Sequence, residues 1–419
     1  INNMKTELAN NYSGMLLARV ICLLLCGTFF VLQGGQAHSY PEANDIEKAD
    51  KDAWQVARWL GIGWNLGNQL DAVAEGVSNE TVWGNRPVTQ VTFDKLAAAG
   101  FTSVRIPVTW MGHIGSAPEY KLEESWLKRV EEVVGYAEKA GLNAIVNIHH
   151  DDNYWLSMKK AIQGEEQNEA IKAQLKAVWT QIAARFKDKG HFLLFEAMNE
   201  IHDGRWGWGD NRKDGGRQYA ILNEWNQIFV NTVRATGGKN TDRYLCVPGY
   251  ATNIGLTLQS FVLPKDVVPG RLLVSVHCYD PMDYAMSNKY TEWGHTADAA
   301  KKVTGDNENQ IASQFKALKE HFVEKGVPVY IGEMGCIHRA TEREEAFRKY
   351  YLEYFYKAAR TYGLAPFYWD DGGKGLCLLN HATGDWQPGA LEAIGAMKKG
   401  LFTEDSFYTL QTVYEQAPR

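Results

Sequence analysis

Two glutamates, Glu200 and Glu333, each close a short apolar run of strand character. The first run reads Phe192-Leu193-Leu194-Phe195-Glu196-Ala197-Met198-Asn199-Glu200, and the second Val327-Pro328-Val329-Tyr330-Ile331-Gly332-Glu333. A carboxylate just past a buried strand stands at the rim of a sheet, where substrate reaches it. Two such groups facing each other supply what cleavage of a glycosidic bond needs, one as proton donor and one as nucleophile. A cation and hydrogen-bond donors such as Arg105 and Tyr279 would keep the attacking carboxylate ionised. A second carboxylate close by would keep the acid protonated near neutral pH.

Elements to position these groups are legible in the hydrophobic pattern. Apolar, β-rich runs lie at Ile62–Leu66, Ser103–Val108, Ala144–Ile148, Phe192–Ala197, Tyr244–Val247, Leu272–Val276, Val329–Gly332 and Ala365–Trp369. They alternate with amphipathic stretches, and Glu123–Lys139 and Ile171–Phe186 carry the 3.6-residue period of helices lying on a sheet. Eight such units without a break predict a (β/α)₈ barrel in one domain over residues 38–419. An open doubly wound sheet fits less well, because no G-x-G-x-x-G follows a strand and functional-looking residues close nearly every strand. In a barrel these strand ends form one ring around one pocket. Read in order they give Asn68 and Asp71, Arg105, His149 and His150, Asn199 and Glu200, Tyr250, His277 and Tyr279, Glu333, and Trp369. Loops that served only as connectors would scatter Gly, Ser and Lys there instead.

Seven strings at these ends are G-W-N-L-G-N (Gly63–Asn68), V-R-I-P-V (Val104–Val108), N-I-H-H-D (Asn147–Asp151), E-A-M-N-E (Glu196–Glu200), S-V-H-C-Y (Ser275–Tyr279), I-G-E-M-G (Ile331–Gly335) and F-Y-W-D (Phe367–Asp370). Together and in this order the set resembles glycoside hydrolase family five, and within it the subfamily four endoglucanases and xyloglucanases. The match runs from about Trp54 to Trp386. The resemblance implies that Glu333 is the nucleophile and Glu200 the general acid, then the general base for water. It implies that Asn199 binds the 2-hydroxyl of the sugar being cleaved, and that Arg105 and Tyr279 hold Glu333 ionised and oriented. His150 and His277 would complete the hydrogen-bond ring, His149 and Asn68 would touch sugar, and Trp369 would floor the −1 subsite. Asp71 is a further candidate for a sugar hydroxyl. Where family members usually carry Pro after the acid, this chain has Ile201.

Composition narrows the partners. With 419 residues, 45% hydrophobic and a net charge of −6, the chain has no basic stripe for nucleic acid. Fourteen Trp and 20 Tyr suit a groove in which flat sugar faces stack on rings. Trp110, Trp155, Trp206, Trp208 and Trp293 fall in expected loops, where loop packing is the favoured reading for any one of them and sugar stacking the alternative, with the stretch around Trp206 and Trp208 the best candidate for a platform. Near the N-terminus Arg19 precedes the apolar run Val20–Leu32, followed by Gly35 and Ala37. This is the layout of a secretory signal peptide over residues 1–37, and its apolar core of 13 residues is too short for the roughly 20 residues of a spanning helix. The expectation is a secreted monomer without a membrane anchor. Cys246, Cys278, Cys336 and Cys377 lie on or just after inner strands, where buried free thiols are ordinary. A metal site at His149-His150-Asp151-Asp152 is set aside because strand neighbours point to opposite sides. No metal or cofactor is therefore expected. The reading is a retaining endo-β-1,4-glucanase acting on β-glucan polysaccharide. A mannanase or xylanase of the same family, a metal-dependent barrel hydrolase, and a binding protein that has lost catalysis are the alternatives.

Overall fold

The structure, a computed structural model, describes residues 53–204, 216–373 and 375–419. Its eight long-range strands are β1 (Gly63–Leu66), β2 (Ser103–Ile106), β3 (Asn143–Val146), β4 (Leu193–Glu196), β5 (Leu245–Asn253), β6 (Leu272–His277), β7 (Val329–Met334) and β8 (Leu364–Asp370). Each pairs in parallel with its sequence neighbours, and β1 closes onto β8 with Gly63 opposite Phe367. Closure leaves no unpaired sheet edge. The predicted (β/α)₈ barrel is therefore the fold.

Helices Glu124–Ala140 and Glu165–Arg185 fill the places the periodicity assigns. The first buries Trp126, Leu127, Val130, Val133, Val134 and Ala137, the three-and-four spacing of one helix face. Strand ends lie within a residue or two of expectation except in β5, which runs to Asn253 instead of Val247. Its extension places Ala251 and Thr252 in left-handed backbone, bending the chain over the barrel mouth.

Side chains alternate sides along each strand, and the barrel uses this to build two floors. The lower floor is apolar: Ile145, Leu194, Cys246, Leu273, Tyr330 and Phe367 pack with Val56, Trp59 and Leu60 of the helix Ala53–Leu60. Gly63 admits the Phe367 ring, since a Cβ there would lie 2.1 Å from it. Two residues further along, the same faces turn polar: Asn147 above Ile145, Glu196 above Leu194, Ser275 and His277 above Leu273. The lower floor is what lets these polar groups be buried without water beneath them.

Two of the loop tryptophans follow the loop-packing reading. Trp110 and Trp293 are fully buried. Trp110 Nε1 donates to the Asn147 carbonyl at 3.1 Å, and Trp293 packs among Tyr350, Tyr351 and Tyr354. Both are loop packing: Trp110 turns in onto the chain just beyond β3, and Trp293 onto the helix Glu342–Tyr362. Trp206 and Trp208 lie outside the described residues, as does the leader segment. Cys246, Cys278, Cys336 and Cys377 are free and buried. No described helix is long and apolar enough to cross a membrane.

Candidate active site

Glu333 lies within β7 itself, while Glu200 stands beyond the last residue of β4, on an irregular segment. That segment is pinned at both ends: Asn199 N donates to the Ile148 carbonyl, and Ala251 N to that of Ile201, each at 2.9 Å. Ile201 is fully buried, so an apolar side chain anchors the turn after the acid. Oxygens of the two carboxylates and a ring nitrogen of His277 all lie within 4.8 Å of one another. The sequence-expected pair is thus brought face to face.

Arg105 organises the polar floor. Its Nη1 donates to Glu333 at 2.8 Å and to Asn65 at 3.0 Å, its Nη2 to Asn199 at 2.7 Å, and its Nε to Glu196 at 2.8 Å. Burial works against its charge, but the carboxylates of Glu196 and Glu333 outweigh that cost and hold the guanidinium protonated. Tyr279 Oη donates to the other oxygen of Glu333 at 3.0 Å. One oxygen of Glu333 is therefore fixed by a cation and the other by a phenol.

Glu200 has a different environment. Burial raises its carboxyl to about 7, an effect that Arg105 and His150 only partly offset. His277 Nδ1 and Glu200 Oε1 share a hydrogen bond of 2.6 Å, and Thr252 Oγ1 lies 3.4 Å from the same oxygen. Burial pushes His277 down to about 4, so it is a neutral partner there. A protonated carboxyl beside an ion-paired carboxylate is the division that acid catalysis needs. Activity should consequently fall as pH rises through about 7, by about tenfold per further unit, as the proton on Glu200 is lost. A profile of kcat/KM that stays flat to pH 9 would show that another group holds the proton.

An aromatic wall flanks the pair. The Trp369 ring stacks on His149 at 5.6 Å and 9°, His149 meets His150 edge-on at 4.4 Å, and His150 meets Trp83 at 5.7 Å. Gly67 makes room for this, since a Cβ there would lie 2.7 Å from the Trp369 indole. Asn68 sits at the rim, donating to the Asp371 carbonyl at 3.3 Å. Asp71 is fully buried, and its Oδ2 lies 3.5 Å from His150 Nε2. Burial opposes charge on His150, but Asp71 outweighs it and raises the imidazole above its usual range. His149 is buried and held well below that range, hence neutral.

The geometric reason for setting aside a metal fails. Strand β3 ends at Val146 and the chain turns into a 3₁₀ helix at His150–Asn153, so adjacent histidines face one way. Asp71, His149 and His150 bring three ligating atoms within 4.8 Å, as do Glu200, His277 and Glu333. A protonated His150, however, offers an ion no lone pair.

Several site residues carried no separate sequence signal. Asn65, Asn147, Ser275 and Tyr330 surround Arg105 and Glu196, and period-two counting up from the strand ends would have found them. Thr252 arrives by the unforeseen length of β5. Trp83 arrives from the loop after β1, with its Nε1 donating to the Val73 carbonyl at 3.1 Å. Tyr250, expected at the ring, is buried, and its hydroxyl accepts from Asp203 N.

Comparison with known proteins agrees with this geometry. Residues 69–375 match the family model for "Cellulase (glycosyl hydrolase family 5)". Endoglucanase A of Paenibacillus barcinonensis is 39% identical over 354 residues, covering 80% of this chain and 86% of that protein. A GH5-4 broad specificity endoglucanase from Bacteroides salanitronis superposes with a TM-score of 0.83 at 60% identity, over 85% of this chain and 96% of that one. A family 5 xyloglucanase from Paenibacillus pabuli superposes at 0.77 with 39% identity, over 83% and 100%. With a closed barrel, an opposed glutamate pair and these relatives, the chain belongs to glycoside hydrolase family 5 and is an O-glycoside hydrolase of the cellulase type.

Proposed function

We propose that this protein is an exported endo-β-1,4-glucanase that cleaves plant cell-wall glucans with retention of configuration. The close approach of the Glu200 and Glu333 carboxylates carries this reading. Retaining pairs sit about 5–5.5 Å apart, whereas inverting pairs stand roughly 6.5–9.5 Å apart to admit a water. In the first step a Glu333 oxygen attacks the anomeric carbon, the glycosidic C–O bond breaks, and the departing oxygen takes the Glu200 proton. In the second, Glu200 takes a proton from water as its oxygen attacks the same carbon, and the ester electron pair returns to Glu333. Asn199 is supported as the partner of the sugar 2-hydroxyl and Trp369 as the floor of the cleaved residue. Relatives described as broad specificity endoglucanase and xyloglucanase support cellulose-type, mixed-linkage or xyloglucan chains as substrates. Export rests on the leader-like N-terminal segment alone.

Reducing-end release from carboxymethyl-cellulose, xyloglucan, mixed-linkage β-glucan, glucomannan and xylan tests the substrate class, and anomeric NMR of the first product tests retention. Release confined to mannan or xylan overturns the glucanase reading, and an inverted first product overturns double displacement. Glu200→Gln should lose on the order of 10³-fold or more on these polymers. It should lose far less in the first step on a dinitrophenyl glycoside, whose leaving group needs no proton. Equal losses on both substrates would remove Glu200 from the acid role.

A further inference from the structure

The reaction uses Glu200 and Glu333, yet a third carboxylate lies at the heart of the site and takes no part in it. Glu196 is fully buried on β4, one floor below the substrate. Its Oε2 accepts from Arg105 Nε at 2.8 Å and Asn147 Nδ2 at 2.9 Å. Its Oε1 accepts from Ser275 Oγ at 2.7 Å and from the Tyr330 hydroxyl. Burial works against its charge, but Arg105 and these donors hold it ionised, below the usual carboxylate range.

Four donors on two oxygens is more than holding an arginine in place requires. It is the coordination of a permanent anion. Arg105 is thus one cation shared by two buried carboxylates, Glu196 through Nε and Glu333 through Nη1. The two carboxylates behave differently during turnover. In the glycosyl-enzyme Glu333 is a neutral ester, because its electron pair has gone into the bond to the anomeric carbon, while Glu196 stays charged.

We infer that Glu196 is the standing counter-charge of Arg105: it leaves Glu333 with surplus negative charge for attack and keeps Arg105 neutralised while Glu333 is esterified. This rests on the double-displacement reading above. Without Glu196, the whole charge of Arg105 would fall on Glu333 in the free enzyme, weakening it as a nucleophile. The intermediate would then hold a buried, unbalanced guanidinium, which disfavours its formation. Departure of the Glu333 carboxylate in the second step would gain from the same imbalance. Glu196 therefore sets the balance between the two steps as a positioning residue, touching no substrate atom.

Glu196→Gln is the test. The amide is isosteric, and the Ser275 and Tyr330 hydroxyls can turn to accept from it. The acidic limb of the kcat/KM profile should move down by about one pH unit or more, since removing a neighbouring negative charge favours ionisation of the attacking group. With a dinitrophenyl cellobioside, the pre-steady-state burst of the parent enzyme should shrink severalfold as formation of the intermediate becomes limiting. Glu196→Asp, which keeps the charge, should retain the acidic limb at the parent position even at a reduced rate. A purely structural role predicts the reverse for Glu196→Gln: Arg105 comes loose from Glu333 and the limb stays or moves up. That outcome overturns the inference, as does a moved limb in Glu196→Asp, which decides the matter if the glutamine variant does not fold. Failure of double displacement itself would be recognised separately, by an inverted product from the parent enzyme.

Discussion

Glu333→Ala is expected to lower kcat on the order of 10⁵-fold or more, with folding intact, and azide or formate should restore part of the loss. The size follows from the role proposed for Glu333, as the group that forms the covalent bond. The rescue follows from what the alanine leaves behind. Arg105 Nη1 and the Tyr279 hydroxyl, which hold the two oxygens of Glu333, would then face an empty space shaped for a small anion. Azide held there attacks the anomeric carbon from the face that Glu333 uses. The glycosidic bond breaks on the opposite face, and the product is a glycosyl azide of inverted configuration. Rate recovery measured against azide concentration, with the product identified by NMR, checks both parts. Substantial residual activity without azide would mean that a different group carries out the attack.

Arg105→Met is expected to fail in stability as well as in rate. The guanidinium is fully buried and donates to Glu333, Asn65, Asn199 and Glu196 at once. Its removal leaves two buried carboxylates with their shared cation gone, and breaking a buried pair from one side costs roughly 3–5 kcal/mol. Both acids would also lose the donor that fixes their orientation. Loss of a preorganised charge at the reacting centre lowers kcat by about 10²–10³-fold. Urea unfolding and kcat/KM measured on the same preparation separate the two effects. A variant with parental stability would show that Glu196 and Glu333 have another way to remain ionised. Arg105→Lys should recover part of the stability but little of the rate, because a point charge cannot serve four acceptors in one plane.

The barrel was legible because its evidence is repeated. Eight apolar runs separated by amphipathic stretches tolerate an error of a residue or two at each end without changing the topology. The facing glutamate pair was legible because both residues close such runs. What the sequence concealed is mostly a matter of depth. Glu196 stands in the same string as Glu200, but nothing in one dimension says that the first is buried on Arg105 and the second opens to substrate. His149 and His150 look like strand neighbours facing apart. They face together because the regular β3 strand ends at Val146 and the chain turns into a 3₁₀ helix at His150. For Trp110 and Trp293 the sequence left stacking and packing both open, since an aromatic residue in a loop is exposed only if the loop itself stays out, and the structure buries both. The length of β5 turned on two residues in left-handed backbone, Ala251 and Thr252, for which neither residue type gives warning.

Glu200 and Glu333 also differ in how the chain holds them. Glu333 is a rung of the barrel: its carbonyl accepts from Cys278 N at 2.9 Å and it lies opposite His277 across the β6–β7 ladder. Glu200 has left the ladder and hangs between two tethers. Under double displacement the departing oxygen and the incoming water pass through the same place on the same face of the sugar, so one fixed position of Glu200 serves both steps. That position is held from outside the ladder, by the Ile148 and Ile201 backbone bonds and by His277 on the carboxyl, so it depends on contacts with β3, β5 and β6 and not on β4 alone.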